Sequence, residues 1–224
     1  PFCRTKCSYC NFASDVFSRA VFERYVDRVC DQISSAPATA AAFGASFDPA
    51  VDTVYLGGGT PTLLDVTQLE RLFVTIRQNF RLTADAEITV ECAPGTLSAP
   101  VLDALLRCGV NRVSLGIQSF IDQESRAVGR LHTRATVLDD LARLRASGIS
   151  NLNLDLIAGL PHQTAERSSL VRRVVVHMHP GEAAATVRDL VEQRFEGGLF
   201  LLAILGPDAA ITGLPVLVEL DPAE

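Results

Sequence analysis

The chain has 224 residues, 48% hydrophobic and 21% charged, which suffices for the core of one ordinary α/β domain. A formal net charge of -6 argues against a nucleic-acid partner or an anionic membrane surface. Its longest apolar stretch, residues 198–206, is too short to span a bilayer. With no signal-peptide pattern and six cysteines, three of them in one tight loop, the expected compartment is a reducing cytoplasm.

The first ten residues, Pro1-Phe2-Cys3-Arg4-Thr5-Lys6-Cys7-Ser8-Tyr9-Cys10, space three thiols as Cys-x-x-x-Cys-x-x-Cys. Such a loop lets three sulfurs converge on one inorganic centre without bending a helix or strand. An iron–sulfur cubane is normally held by four thiolates. Three would leave one iron open to a small chelator carrying an amine and a carboxylate. Arg4 and Lys6 are expected to favour the thiolate forms. On spacing alone two other readings stay open. A structural zinc site would want a fourth Cys or His, and a disulfide would leave an odd thiol. A strand normally feeds such a loop, so a chain opening on Pro1 is expected to lack its first strand.

Phe17, Val21, Tyr25, Val29 and Ile33 recur near helical spacing and predict an amphipathic helix, with Cys30 a buried packing thiol. Residues 36–50, with Pro37, Gly44 and Pro49, read as a loop. Residues 51–56 predict a short buried strand running into Gly57-Gly58-Gly59-Thr60-Pro61, where bare amide N–H groups can face a ligand. Asp65 then caps a helix carrying Leu69, Leu72, Phe73 and Ile76.

The alternation continues. Strands are predicted at 87–92, 111–117 and 151–157, with helices at 97–108, around 121–128 and at 133–147. Strand–helix alternation implies a parallel sheet with right-handed crossovers. Glu91, Gln118 and Asp155 stand in, or just after, the C-terminal halves of otherwise apolar strands. In barrels of parallel strands that rim gathers ligands, so the three are expected to share a cleft. Asp155 also has a structural reading, as a group that neutralises a neighbour within the sheet. Arg130 reads as solvent-facing.

The cysteine loop, the glycine turn, Val90-Glu91-Cys92-Ala93-Pro94-Gly95-Thr96-Leu97, Gly116-Ile117-Gln118-Ser119-Phe120 and Asp155-Leu156-Ile157-Ala158-Gly159-Leu160-Pro161 follow in order. Jointly they resemble the radical S-adenosylmethionine (SAM) family of oxygen-independent coproporphyrinogen III oxidases and their relatives, the heme chaperones of HemW type. The likeness covers about residues 1–164. It implies an α/β fold, a partial (β/α) TIM-like radical SAM barrel truncated at its N-terminal strand. Residues 1–164 would be the core and 165–224 a divergent tail. The abrupt end of the likeness after Gln163 suggests a shifted reading frame, which resequencing the gene across that point checks.

The same resemblance implies a [4Fe-4S] cluster on Cys3, Cys7 and Cys10. It implies S-adenosylmethionine contacts at Tyr9, Gly58, Gly59, Thr60, Glu91, Gln118, Arg130 and Asp155. In the similar oxidases another cysteine usually stands two places after the third; Phe12 stands there in this chain, as in the chaperone branch. That favours a protein that binds heme and passes it on over one that decarboxylates a porphyrinogen. Implied partners are a heme or porphyrin ligand, an electron-donor protein and a heme-acceptor protein, with membrane contact only through the acceptor. In the tail, residues 183–195 predict a helix and 199–205 a strand. The pair His177 and His179 has no partner ligand near in sequence and reads as structural.

Overall fold

The computed structural model describes residues 1–157 and 159–163. The predicted tail elements and the His177/His179 pair lie outside the described residues. The chain divides into two units, Pro1–Val113 and a second beginning at Ser114.

In the first unit, helix α1 (Arg19–Ser34) buries Phe22 and Val26, and α2 (Ala36–Ala42) follows after Ser35. Strand β1 (Ala50–Leu56) leads through the glycine turn and a single 3-10 turn (Pro61–Leu63) into α3 (Val66–Asn79). Strand β2 (Arg81–Cys92) and helix α4 (Ala99–Arg107) come next. β1 and β2 pair in parallel, with Thr53 opposite Glu87 and Leu56 opposite Val90, and with an irregularity between Val51 and Thr53. Strand β3 (Arg112–Gln118) begins in this unit. Just before it, Asn111 clamps β2 by donating to the Ala86 carbonyl and accepting from the Ile88 N–H, both at 2.8 Å. The core includes the fully buried Val26, Leu69, Phe73, Val90, Ala104, Leu105 and Val113.

The second unit holds the rest of β3, then α5 (Asp122–Ala127), α6 (Arg134–Ala146) and β4 (Asn151–Leu156). Helix α6 buries Val137, Leu141 and Leu144, and β4 buries Leu152, Leu154 and Leu156. The strand order is β1-β2-β3-β4, an α/β arrangement in which each strand lies beside its neighbour in sequence. Connections that run strand, helix, adjacent strand keep the sheet parallel.

The elements follow local chemistry. Asp65 accepts from the Gln68 N–H at 2.9 Å while the Gln68 side chain accepts from the Asp65 N–H at 3.1 Å, a reciprocal capping box. Thr133 likewise accepts from the Thr136 N–H and starts α6.

Four expectations are corrected. Residues 36–42 are helical rather than a loop, because alanine is the best helix former and Pro37 falls in the first turn, where its missing N–H is not needed. β1 is not a buried strand: it stands at the end of the strand order, and Tyr55 is 52% exposed. An apolar cleft of about 370 Å3, lined in part by Val29, Val54, Leu72 and Phe80, runs beside it. Cys30 is half-buried and accepts from the Thr75 hydroxyl at 3.4 Å, so it is not sealed in the core. β2 also starts earlier than predicted, since pairing of Ala50 with Arg81 draws residues 81–85, polar at Arg81, Thr83 and Asp85, into the strand.

Replacing Asp65 by alanine removes the bond that its carboxylate accepts from the Gln68 N–H, while the main-chain N–H of residue 65 stays available to the Gln68 side chain. The expected loss is about 1 kcal/mol, a fall in melting temperature of about 2–4 °C for a chain of this size. Circular-dichroism melting checks it; an unchanged midpoint would show that the Asp65 side-chain cap contributes nothing.

Candidate functional site

The cysteine loop is closed at its base by main-chain bonds. Phe2 and Asp15 form a parallel bridge, the Cys3 N–H donates to the Asp15 carbonyl at 3.0 Å and the Asp15 N–H to the Pro1 carbonyl at 2.9 Å. Inside the loop the Cys10 N–H donates to the Cys7 carbonyl at 3.1 Å. Lys6 spans the loop, donating to the carbonyls of Phe12 (2.8 Å) and Ser14 (2.6 Å), and Arg4 donates to the Gly95 carbonyl at 3.1 Å. The two cations expected to face the thiols therefore act first as braces for the backbone. Tyr9 is half-buried in the loop.

The ring of Phe2 anchors the loop to α1. It stacks on Phe22 with centroids 3.8 Å apart and meets Phe17 and Tyr25 edge-on. Its carbonyl accepts from the Thr60 N–H at 2.7 Å. Gly59 makes this approach possible, since a Cβ there would lie 2.7–2.9 Å from main-chain atoms of Pro1 and Phe2.

At the end of β2, Glu91 accepts from the Tyr55 hydroxyl at 2.7 Å through one oxygen and from the Gly58 N–H at 2.8 Å through the other. Gly57 leaves room for this, because a Cβ would fall 2.6–2.8 Å from the Tyr55 ring and the Glu91 carboxylate. The turn was expected to present bare amides. Instead the Gly58 amide seats Glu91 and the Thr60 amide seats the cysteine loop. Tyr55 was missed as a partner of Glu91. Its alternation in β1 places it beside the strand-end carboxylate, a signal that only pairing reveals.

None of the six cysteines is in a disulfide, which closes the disulfide reading. Among the described residues no three His, Cys, Asp or Glu side chains gather closely enough for one metal ion. A cubane spreads its cysteines over different irons, so it needs no such tight shell. The donor set suits it: three thiols share one loop, the Thr60 hydroxyl donates to the Cys3 sulfur at 3.8 Å, and Ser14 Oγ stands 4.0 Å from Cys10 Sγ. Hydroxyls beside thiolate sulfurs are among the groups that tune such clusters.

The second unit places Gln118 as the last residue of β3 and Asp155 as the penultimate residue of β4. Asp155 accepts from the Ser114 hydroxyl at 3.3 Å and from the Asn153 amide at 3.0 Å. Arg130 is half-buried rather than solvent-facing, because its guanidinium donates to the Gly116 carbonyl. Gln118 has φ +69°, a left-handed backbone that non-glycine residues adopt only when held there. His132, 6% exposed, has its pKa lowered to about 4, by burial first and by the nearby Arg130 second; bonds to the main chain of Ile117 and Ser119 oppose the shift.

The Radical SAM superfamily model matches residues 1–174. The heme chaperone HemW of Lactococcus lactis subsp. lactis is 37% identical over 167 residues, 74% of this chain and 41% of that protein. The oxygen-independent coproporphyrinogen III oxidase of Bradyrhizobium diazoefficiens is 36% identical over 168 residues, 73% of this chain and 36% of that protein. The solved structure of the Escherichia coli coproporphyrinogen III oxidase HemN, described as a radical SAM enzyme, superposes with a TM-score of 0.65 at 36% identity, over 75% of this chain and 37% of that one. The chain thus spans about two fifths of the length of these relatives.

Two outcomes are expected here. Gly59→Ala forces backbone apart, a misfit of about 1–3 kcal/mol or more, and should lower both melting temperature and iron uptake; wild-type uptake would show that the close approach is not needed. His132 stays neutral in the folded chain while its unfolded counterpart protonates, so stability falls as pH drops from about 6.5 towards 4, by up to about 3 kcal/mol. His132→Gln should flatten that part of the melting-temperature profile, and an unchanged slope would assign the acid loss elsewhere.

Proposed function

The chain belongs to the radical SAM superfamily, and from that membership we propose that it is a [4Fe-4S], S-adenosylmethionine-binding protein of heme metabolism, of the HemW chaperone type. In this reading it binds heme and hands it to an acceptor protein, with an electron-donor protein serving the cluster. The observation that carries the cofactor half is the three-thiol loop seated on the glycine turn through Phe2 and Thr60. Relatives named as chaperones and as oxidases match at similar identity. The choice between them rests on Phe12, 65% exposed, at the place where the similar oxidases carry a cysteine.

Cys3, Cys7 and Cys10 are the proposed cluster ligands, with residues 1–164 as the core. When bound, the cluster supplies one electron to the sulfonium of S-adenosylmethionine, and that chemistry belongs to the cofactors. The work of the chain is to bind and orient. Each Glu91 oxygen accepts one protein bond and keeps capacity for another, which suits it to a cationic amine. Tyr9, Gly58, Gly59 and Thr60 are the proposed contacts on the same unit. Gln118, Arg130 and Asp155 are the proposed contacts on the second.

The proposed site of action is cytoplasmic, with membranes met only through the acceptor; no described helix is long and apolar enough to cross a membrane. The formal net charge of -6 argues against a nucleic-acid partner.

The test is anaerobic reconstitution followed by reduction and electron paramagnetic resonance with and without S-adenosylmethionine. A cubane signal that shifts on adding the cofactor is expected, with about four irons per chain falling to near background when any of the three cysteines becomes alanine. Uptake of zinc without a cluster would overturn the loop assignment. Hemin should bind with a shifted Soret band, and coproporphyrinogen III should not turn over; turnover would move the protein to the oxidase branch.

A further inference from the structure

Glu124, in α5, is 1% exposed, and no ion pair among the described residues involves it. A carboxylate buried without a cation is unfavourable, and an apolar residue of similar size would pack there at least as well. Its bonds show what an apolar residue could not do. Glu124 Oε2 accepts from the Ser119 hydroxyl at 2.6 Å and from the Gln163 amide at 3.2 Å. Ser119 directly follows Gln118. Its hydroxyl also accepts from the Ile121 N–H at 3.0 Å, and its carbonyl accepts from the Ser125 hydroxyl at 3.0 Å.

Gln163 continues the chain of bonds to the loop after β4. Its amide donates to the Ile157 carbonyl at 3.0 Å, and its oxygen accepts from the Gly159 N–H at 2.6 Å and the Leu160 N–H at 3.1 Å. The Ile157 N–H closes the circuit by donating to the Gln118 carbonyl at 3.0 Å. Gln118, at φ +69°, is thus gripped from both sides, through its own carbonyl and through Ser119. Backbone held in a sparsely populated region persists only where its surroundings over-determine it, and such residues cluster at ligand sites.

We propose that Glu124 is a positioning residue for S-adenosylmethionine: by fixing Ser119 and Gln163 it holds Gln118 in its left-handed conformation and sets the side chain that meets the cofactor. This rests on the cofactor reading above, which assigns Gln118 as a contact. Glu124 itself touches no substrate. Oε1 accepts no bond, so Glu124→Gln can turn its amide to that side and keep the carbonyl oxygen as acceptor for Ser119 and Gln163. Glu124→Leu keeps the bulk and loses the acceptor.

The experiment compares the full chain with both variants after anaerobic reconstitution. It measures iron per chain and the S-adenosylmethionine dissociation constant by titration of the cubane signal. Glu124→Leu is expected to keep wild-type iron but to bind S-adenosylmethionine about tenfold or more weakly, the usual consequence of losing a partner that orients a ligand group. Glu124→Gln is expected to restore most of the affinity. A leucine variant that melts lower yet binds S-adenosylmethionine as tightly as wild type makes Glu124 merely structural and overturns the inference, while the cofactor reading stands. A wild-type chain that carries the cluster but shows no response to S-adenosylmethionine overturns both. If the leucine variant does not fold, Ser119→Ala removes the same bond to Gln118's neighbour and is judged by the same criterion.

Discussion

The bond from the Thr60 amide to the Phe2 carbonyl decides where the three thiols stand. A loop of ten residues with three cysteines has many conformations in isolation, and ordering it costs about 1–2 kcal/mol per residue in backbone entropy alone. That ordering is offset in three places. Aromatic contacts of Phe2 with Phe17, Phe22 and Tyr25 hold one end on α1. The Phe2–Asp15 bridge closes the base. Lys6 replaces solvent at two carbonyls that would otherwise leave the far side of the loop free to open. The seat of this loop on the turn depends on Gly59, because a side chain there would meet the main chain of Pro1 and Phe2. The glycine triplet is therefore a seat for the cysteine loop.

Polar groups in the sheet follow a related logic. Asp155 lies with Ser114 and Asn153 in a small network, where the Asn153 amide also donates to the Ser114 hydroxyl at 2.8 Å. A carboxylate among the buried leucines of β4 needs donors, and Ser114 of β3 and Asn153 of β4 supply them. The structural reading of Asp155 and the functional one are compatible, since a ligand group held by bonds on its inner side is oriented for a contact on the other.

Much of this was legible in the sequence, for reasons that differ by residue. α1 declared itself by periodicity and α3 by its Asp65 cap, and Thr133 caps α6 in the same manner. Glu91, Gln118 and Asp155 were visible because a polar residue at the end of an apolar strand is conspicuous against its neighbours. What escaped depends on pairing at a distance. The Arg81 start of β2 is imposed by β1, the exposure of Tyr55 by the end of the strand order, and the Lys6 contacts by the return of the chain at Phe12 and Ser14. Glu124 escaped most completely. An acidic residue in the first turn of a short helix looks like an ordinary solvated partner of the helix dipole, and only burial shows otherwise.

One device recurs in both units. Glu91 joins the Tyr55 hydroxyl on β1 to the Gly58 amide in the turn that follows it, from its own place at the end of β2. Glu124 joins the Ser119 hydroxyl beyond β3 to the Gln163 amide beyond β4. Each time a carboxylate joins two groups at strand ends, and each time a residue of positive φ stands beside the bond, Gly58 at φ +109° or Gln118 at φ +69°. Strand C-termini are where the sheet's own ladder stops supplying partners, so loops there drift unless side chains take over. A carboxylate suits that task because it accepts several bonds from one buried or half-buried point and tolerates donors of different kinds. Rigidity at a binding rim therefore comes from the same residue class that binding itself needs, and the two roles are separable only by asking which oxygens remain open.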